Sequence, residues 1–255
     1  MTLSSRFQLT RYLEKLIVET PNPEERNCVI HRTLEILVVL HELHNFNGVL
    51  ALTSALNSAA VNRIVKGMKD KLPNHLQKAL NEGTQLSENH CKLYWNRLRS
   101  INPPTVPFFG PYQMQIMHFE EGNPDFLSNN NNLINFSKRR KVADIIAEIQ
   151  QYQNQPYCLN ECPEIKGFLE GLDPFPDMDD DTAIRNYLWE KSIEVEPKDL
   201  SQRKIGERRW KGLDLRSPGT KPKNLKGRNQ PFPLPHIRHT NDNDSPTTSP
   251  NYSGE

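Results

Sequence analysis

The sequence has 255 residues, a hydrophobic fraction of 35% and a polar mean hydropathy of −0.73. This length fits one or two domains. The formal net charge of +1 gives no overall attraction to nucleic acid or anionic lipid. The sequence contains no run of about 18 apolar residues, so it predicts no membrane-spanning helix. The opening residues lack the apolar core of a signal peptide, which predicts a cytosolic protein.

Apolar residues are unevenly distributed along the chain. Aliphatic side chains crowd between Phe7 and Ile205, and beyond them lysine, arginine, proline, asparagine and serine dominate. A segment with few large apolar residues cannot bury enough surface to fold alone. The sequence therefore predicts one folded domain over residues 1–205 and a polar, disordered tail over residues 206–255.

The first two predicted helices follow each other closely. Residues 7–19 carry leucine and isoleucine at helical spacing, and Pro21 closes them. A longer helix begins at Glu24, and Gly48 is expected to end it in a left-handed cap. Apolar residues almost encircle it over residues 36–40, so we expect it to be buried centrally.

Further helices are predicted over residues 49–56, around Trp95 and over residues 182–194, where Ile184 and Leu188 face inward. No alternating run is long enough to build a sheet, and no internal repeat is present. The sequence therefore predicts an all-α, multi-helix fold.

Two helices in the middle of the chain form a predicted pair. The first begins at Pro111 and stops at the Gly-Asn-Pro sequence of residues 122–124. The second begins at Asn135 or Ser137, either of which can cap a helix. A short polar connection that contains residues 129–132 joins them. This pattern indicates a protruding helical hairpin.

Four stretches carry a resemblance to a known family. They are ELHNFNGVL (residues 42–50), LRSINPPTVPFFG (98–110), EEGNPD (120–125) and LINFSKRRKVADIIAEIQQYQNQPYCL (133–159). They resemble the catalytic domain of Son of sevenless-type Ras guanine-nucleotide exchange factors. The resemblance covers nearly the whole chain and is weakest in residues 58–82 and after residue 222.

The resemblance implies a cytoplasmic exchange factor that is recruited to the inner face of the plasma membrane, where Ras resides. Its hairpin, here residues 111–151, would act as a wedge that opens the switch region of a Ras-family GTPase and ejects GDP. The wedge positions correspond to Met117 and Glu121. Such a factor acts by binding, without covalent chemistry, metal or cofactor.

The resemblance also implies a set of GTPase-binding residues. A pocket for an aromatic side chain of the GTPase switch II maps to three positions, with a further apolar position near Leu3, and polar contacts map to four others. These positions are Leu50, Cys91 and Phe108 for the pocket, Asn57 and His90 for the polar contacts, and Asn123 and Lys141 near switch I.

The sequence departs from the family in three respects. Family members have helices before the position of Thr10 and an upstream domain that braces the hairpin, so we expect an N-terminally truncated domain with a hairpin free to swing. Cys91 stands where tyrosine is usual, and its smaller side chain fills less of an apolar pocket. Met117 replaces a leucine of similar volume, which packed sites tolerate.

Without the resemblance, the same residues have simpler interpretations. The basic run over residues 138–141 wraps around a helix, which argues against nucleic-acid binding. Glu120 and Glu121 are two exposed acids at the unfavourable end of a helix dipole. Periodicity alone favours Leu50 as a core residue.

A zinc site is one alternative for the cysteines. Cys158 and Cys162 are four positions apart, and His41 and His44 would supply two further ligands. The two histidines follow a long apolar helical stripe, so surface histidines are the preferred interpretation.

Three alternatives remain for function and partners. A truncated, non-catalytic fragment would bind a GTPase or act as a scaffold without accelerating exchange. A helical adaptor would use only its tail. The tail prolines Pro231, Pro233 and Pro235 would bind SH3 adaptors, although they lack the P-x-x-P spacing that SH3 domains recognise.

Overall fold

The computed structural model describes residues 3–68, 71–127, 130–197, 199, 201 and 205–215. In this part of the chain the fold is all-α, as predicted, with one small two-stranded sheet. None of the helices described is long and apolar enough to cross a membrane. The elements are α1 (Leu3–Val18), α2 (Pro23–Glu42), α3 (Phe46–Asn57), α4 (Ala59–Met68), α5 (Asn74–Ser87), α6 (Lys92–Ser100), α7 (Phe109–Gly122), β1 (Phe126–Leu127), β2 (Asn130–Ile134), α8 (Phe136–Gln153), α9 (Pro163–Glu170) and α10 (Asp181–Val195).

Helix α3 lies at the centre of the helical body. It packs against α1, α2, α4 and α5, and ten of its twelve residues are buried. Apolar residues lie around most of its circumference, and among its residues only Ser54 and Asn57 are not buried. The central position that the sequence suggested for the second helix therefore belongs to the third.

The predicted end of the second helix at Gly48 is wrong. Helix α2 ends at Glu42, and the residue with the left-handed backbone is His44, whose φ is 53°. The Asn45 side chain caps α3 by accepting a 2.9 Å hydrogen bond from the Gly48 backbone N–H. Gly48 therefore lies in the first turn of α3, and Ile36 of α2 is 53% exposed instead of central.

Glycine allows a close approach between α3 and α5. A Cβ atom added to Gly83 of α5 would lie 2.3 Å from the Thr53 hydroxyl of α3, which is far inside van der Waals contact. The two helices are thus held near enough for the Asn57 amide to donate a 2.8 Å hydrogen bond to the Thr84 hydroxyl. Neither α4 nor α5 was predicted from the sequence.

The beginning of the predicted tail packs against the helical body. Glu25 in the first turn of α2 is buried, and its carboxylate accepts hydrogen bonds from the backbone N–H groups of Arg209 (2.6 Å) and Trp210 (3.0 Å). Residues 205–215 therefore attach to the body. Residues 216–255, with the three prolines considered for SH3 binding, lie outside the described residues.

Candidate functional site

Helices α7 and α8 pack together as the predicted hairpin. The connection between them is more regular than its polar sequence suggested, because β1 and β2 pair antiparallel with Phe126 opposite Ile134. Next to this pair, the Asn135 backbone N–H donates a 2.8 Å hydrogen bond to the Asp125 carbonyl. The Asn135 side chain caps α8 and accepts a hydrogen bond from the Lys138 N–H, so Asn135 is the predicted cap that the structure uses.

The root of the hairpin is fixed in the core of the body. Tyr112 of α7 and Glu148 of α8 are both buried, and the tyrosine hydroxyl donates a 2.7 Å hydrogen bond to the carboxylate. The Trp95 ring of α6 meets the Tyr112 ring edge-on, with 4.9 Å between ring centroids. Burial raises the pKa of Tyr112, so this hydroxyl keeps its proton for the hydrogen bond.

Helix α7 presents the two predicted wedge residues on one outward face. Met114, Met117 and Glu121 follow helical spacing, and the two methionines are 63% and 50% exposed. Glu121 is also exposed, and no hydrogen bond or ion pair joins its carboxylate to another described residue. The structure therefore brings an apolar side chain and an unpaired acid together, one turn apart, on an accessible surface.

The neighbouring acid, Glu120, has a different environment. Its carboxylate forms ion pairs with Lys138 (3.0 Å) and Arg139 (3.2 Å) at the start of α8. Asp125 contacts the same two bases at 2.8 and 2.7 Å. The hydrogen bond from Lys138 lowers the pKa of the Asp125 carboxyl, and the hydrogen bonds to Asp125 and Glu120 raise the pKa of the Lys138 ammonium. The resemblance singled out Glu121, but the sequence did not predict the ion pairs of Glu120.

Asn123 and Lys141, which are predicted to lie near switch I of the GTPase, meet at Phe119. The Asn123 amide donates a 3.2 Å hydrogen bond to the Phe119 carbonyl, and the Lys141 ammonium lies 5.2 Å from the centre of the Phe119 ring. Both side chains are half-buried. Within the basic run, Lys138 is buried whereas Arg140 is exposed, so the run does not form a single basic face.

The predicted aromatic-binding pocket is only partly at the surface. Cys91 and Phe108 are half-buried and pack against the core, whereas Leu50 is 2% exposed and belongs to the core itself. The Phe108 backbone is held on both sides by the Tyr94 hydroxyl, which accepts from its N–H at 3.0 Å and donates to its carbonyl at 3.1 Å. Leu50 is thus placed beneath the surface, and the side chain of Leu3 lies outside the described residues.

A strained turn presents His90 and Cys91. Asn89, His90 and Cys91 have φ angles of 49°, 53° and 61°, which are values that residues with a Cβ rarely adopt. The turn lies between the buried residues Leu86 and Tyr94, which hold its two ends. His90 is exposed, and burial raises the pKa of the Cys91 thiol. Such strained conformations concentrate at functional sites.

The residues of the zinc alternative make other contacts. The His41 Nε2 lies 3.0 Å from the Ala79 carbonyl, and burial lowers the pKa of the His41 ring. The Cys162 thiol donates to the Glu164 carboxylate at 3.1 Å. Across the described residues, no group of three or more histidine, cysteine, aspartate or glutamate side chains is arranged to hold a metal ion.

Comparison with known proteins agrees with this architecture. A family model for the RasGEF domain matches residues 2–140. Drosophila melanogaster Protein son of sevenless is 49% identical over 84% of this chain and 13% of its own length. The Caenorhabditis elegans Son of sevenless homolog is 34% identical over 93% of this chain and 18% of its own length. Rattus norvegicus Ras-specific guanine nucleotide-releasing factor 2 is 32% identical over 78% of this chain and 16% of its own length.

The chain therefore spans less than a fifth of the length of each of these relatives. The match nevertheless covers more than half of the chain and includes α7, the polar connection and the beginning of α8. The chain belongs to the RasGEF domain family and, within it, to the Son of sevenless type.

Proposed function

We propose that this chain accelerates guanine-nucleotide exchange on a Ras-family GTPase, with the α7–α8 hairpin as a wedge. The observation that carries the proposal is the outward face of α7, where exposed Met117 and unpaired Glu121 stand on a helix whose root is fixed by Tyr112 and Glu148. Exposed apolar side chains rimmed by polar ones are typical of protein contact sites. Family membership and the names of the relatives support Ras as the partner.

The chemistry of the wedge follows from how a GTPase holds its nucleotide. Magnesium, a lysine and backbone amides bind the phosphates. Met117, inserted near the magnesium ion, would remove the space for the ion and its water ligands. The Glu121 carboxylate would compete with the phosphates for the lysine and the amide donors. No covalent bond is made or broken, and the nucleotide and the exchange factor weaken each other's binding.

A second surface would hold the GTPase while the wedge acts. Phe108 and Cys91 supply half-buried apolar contacts, and exposed His90 and Asn57 supply polar ones. Cysteine buries less apolar area than the tyrosine usual at this position, so we expect a weaker grip on the GTPase. The proposed exchange domain is residues 1–205, and its proposed place of action is the inner face of the plasma membrane.

Release of a fluorescent guanine nucleotide from Ras tests the proposal. Purified chain is expected to accelerate release, and Met117→Ala and Glu121→Gln are each expected to reduce the acceleration by roughly 5- to 150-fold, the usual range of coupling between two ligands. Gln113→Ala is the matched control, since Gln113 is exposed on α7 and is not one of the proposed wedge residues. Its rate is expected to equal that of the parent chain.

The same assay distinguishes the non-catalytic alternative. A scaffolding fragment would bind nucleotide-free Ras in a pull-down but leave the rate of nucleotide release unchanged. Binding with unchanged release, obtained also with the family's upstream domain supplied, would overturn the exchange proposal. Adaptor binding by Pro231, Pro233 and Pro235 stays a separate prediction, which a pull-down of the tail peptide with SH3 domains tests.

A further inference from the structure

Lys138 has an unusual position for a lysine. Its side chain is 3% exposed, and its ammonium lies 2.7 Å from the Glu120 carbonyl, 2.8 Å from the Asp125 carboxylate and 3.0 Å from the Glu120 carboxylate. An ammonium has three N–H donors and no acceptor. Two hydrogen bonds and a 3.0 Å ion pair therefore hold the ammonium, which makes Lys138 a structural link between the two helices.

The stability of α8 does not explain this position. Lys138 lies in the first turn of α8, where a cation opposes the helix dipole, and Asn135 already caps that helix. For α7, however, the same ammonium lies at the favourable end. The carbonyl of Glu120 belongs to the last turn of α7, where carbonyl groups lack partners within the helix. Lys138 thus caps the C-terminal end of α7 by donating a hydrogen bond to a carbonyl group of its last turn.

The contacts of Lys138 also close a loop around Glu121, one of the two proposed wedge residues. They join Glu120 to Asp125, and the residues between them include Glu121 and Asn123. Asn135 holds the same bend through hydrogen bonds to the Pro124 carbonyl (3.0 Å) and the Asp125 carbonyl (2.8 Å). The backbone that carries Glu121 is therefore tied to α8, while the Glu121 side chain is left available for a partner.

We propose that Lys138 is a positioning residue that sets the direction of Glu121 toward the GTPase. The inference rests on the proposed exchange function and deepens it. It attributes the orientation of the wedge residue Glu121 to a residue that does not contact the GTPase. Lys138 acts through the last turn of α7 and touches neither the nucleotide nor the GTPase. A small displacement of a reacting group lowers a rate strongly, so loss of this link is expected to slow nucleotide release.

The first experiment needs no GTPase. Lys138→Met keeps a long apolar stem but removes the three donors, and Arg140→Met removes one positive charge from an exposed neighbour on the same helix. Amide hydrogen exchange measured by mass spectrometry is expected to accelerate within residues 120–125 in Lys138→Met. The same peptides of Arg140→Met are expected to match the parent chain. Equal protection in both variants would overturn the positioning role, whether or not the chain proves to be an exchange factor.

The second experiment separates positioning from general stability. Lys138→Met is expected to lower the maximal rate of nucleotide release roughly tenfold, with less change in the Ras concentration at half-maximal rate. Because Lys138 acts through Glu121, the same substitution in a Glu121→Gln background is expected to change the rate less than about twofold. An equal loss in both backgrounds would contradict the proposal. A parent chain without exchange activity would instead refute the proposed function and leave the hydrogen-exchange result to decide.

Discussion

Helices α3 and α7 are similar in length and both rich in apolar residues, yet they have opposite environments. Ten of the twelve residues of α3 are buried, whereas two of the fourteen residues of α7, Pro111 and Tyr112, are buried. Helix α3 is surrounded by four other helices, and α7 packs mainly on α8. Apolar residues thus stabilise the body in one helix and form an accessible surface in the other. Composition alone does not separate these two uses, because both helices offer the same kind of side chain.

Truncation of a buried side chain of α3 is expected to have the largest effect on the free energy of unfolding and so tests this contrast first. Leu50→Ala is expected to lower the free energy of unfolding by about 2–5 kcal/mol, because it removes buried methyl groups and leaves a cavity. Urea unfolding of the isolated chain measures the change. Leu50→Met, which nearly conserves volume, is expected to cost less than about 1.5 kcal/mol. A stable Leu50→Ala chain that has lost only its affinity for Ras would instead place this residue in the binding pocket.

A substitution at the root of the hairpin is expected to have an intermediate effect on the free energy of unfolding. Tyr112→Phe removes the hydroxyl that donates to the buried Glu148 carboxylate and is expected to cost about 1–3 kcal/mol. Urea unfolding again measures the loss. Tyr187→Phe is the control, since its 2.6 Å hydrogen bond to Glu19 is only partly buried, and it is expected to cost about 0.5–1.5 kcal/mol. A Tyr112→Phe cost below that of the control would mean that the root of the hairpin is not fixed as described.

The smallest effect concerns the far end of the hairpin, where Asp125 is exposed to water although its partner Lys138 is buried. The pKa of Asp125 lies below its ordinary value, so this carboxylate stabilises the fold above about pH 3.9, and the contribution is lost as pH falls through the lowered pKa. Carbon NMR of the Asp125 carboxyl group is expected to show a midpoint below about 3.9.

Two variants sharpen that measurement. Lys138→Met removes the hydrogen bond that holds the Asp125 pKa down, so its midpoint is expected to rise toward the ordinary value. Arg140→Met is expected to leave the midpoint where it is, because Asp125 contacts Lys138 and Arg139 instead. An unchanged midpoint in Lys138→Met would show that the ion pair does not persist in solution.

Much of the helical architecture was predictable because burial follows periodicity. The pair α7–α8, the cap at Asn135 and the inward residues Ile184 and Leu188 of α10 all follow from spacing and capping rules. Helices α4 and α5 were missed although the signal was present. Val61, Ile64, Val65 and Met68 lie at helical spacing and are buried.

The remaining features depend on contacts between distant residues. Glu120 and Glu121 are chemically identical, and the approach of Lys138 and Arg139 from α8 makes Glu120 structural. The end of α2 was misplaced because Asn45 caps the following helix, which leaves His44 instead of Gly48 in the left-handed conformation. Periodicity correctly favoured Leu50 as a core residue, while the GTPase pocket to which the resemblance assigned it stays a prediction. The spacing of apolar residues describes one helix at a time and does not show which other helix will pack against it.

The hydrogen bonds between Glu25 and the backbone of Arg209 and Trp210 also have a temporal consequence. The bonded residues are 184 and 185 positions apart. A ribosome that adds about 5–20 residues per second would need roughly 10–40 s to make the intervening chain. During that interval the Glu25 carboxylate depends on water, and the nascent helical body must persist with this site open. Closure of this carboxylate site therefore has to follow the synthesis of all the helices that lie between α2 and Arg209 in the chain.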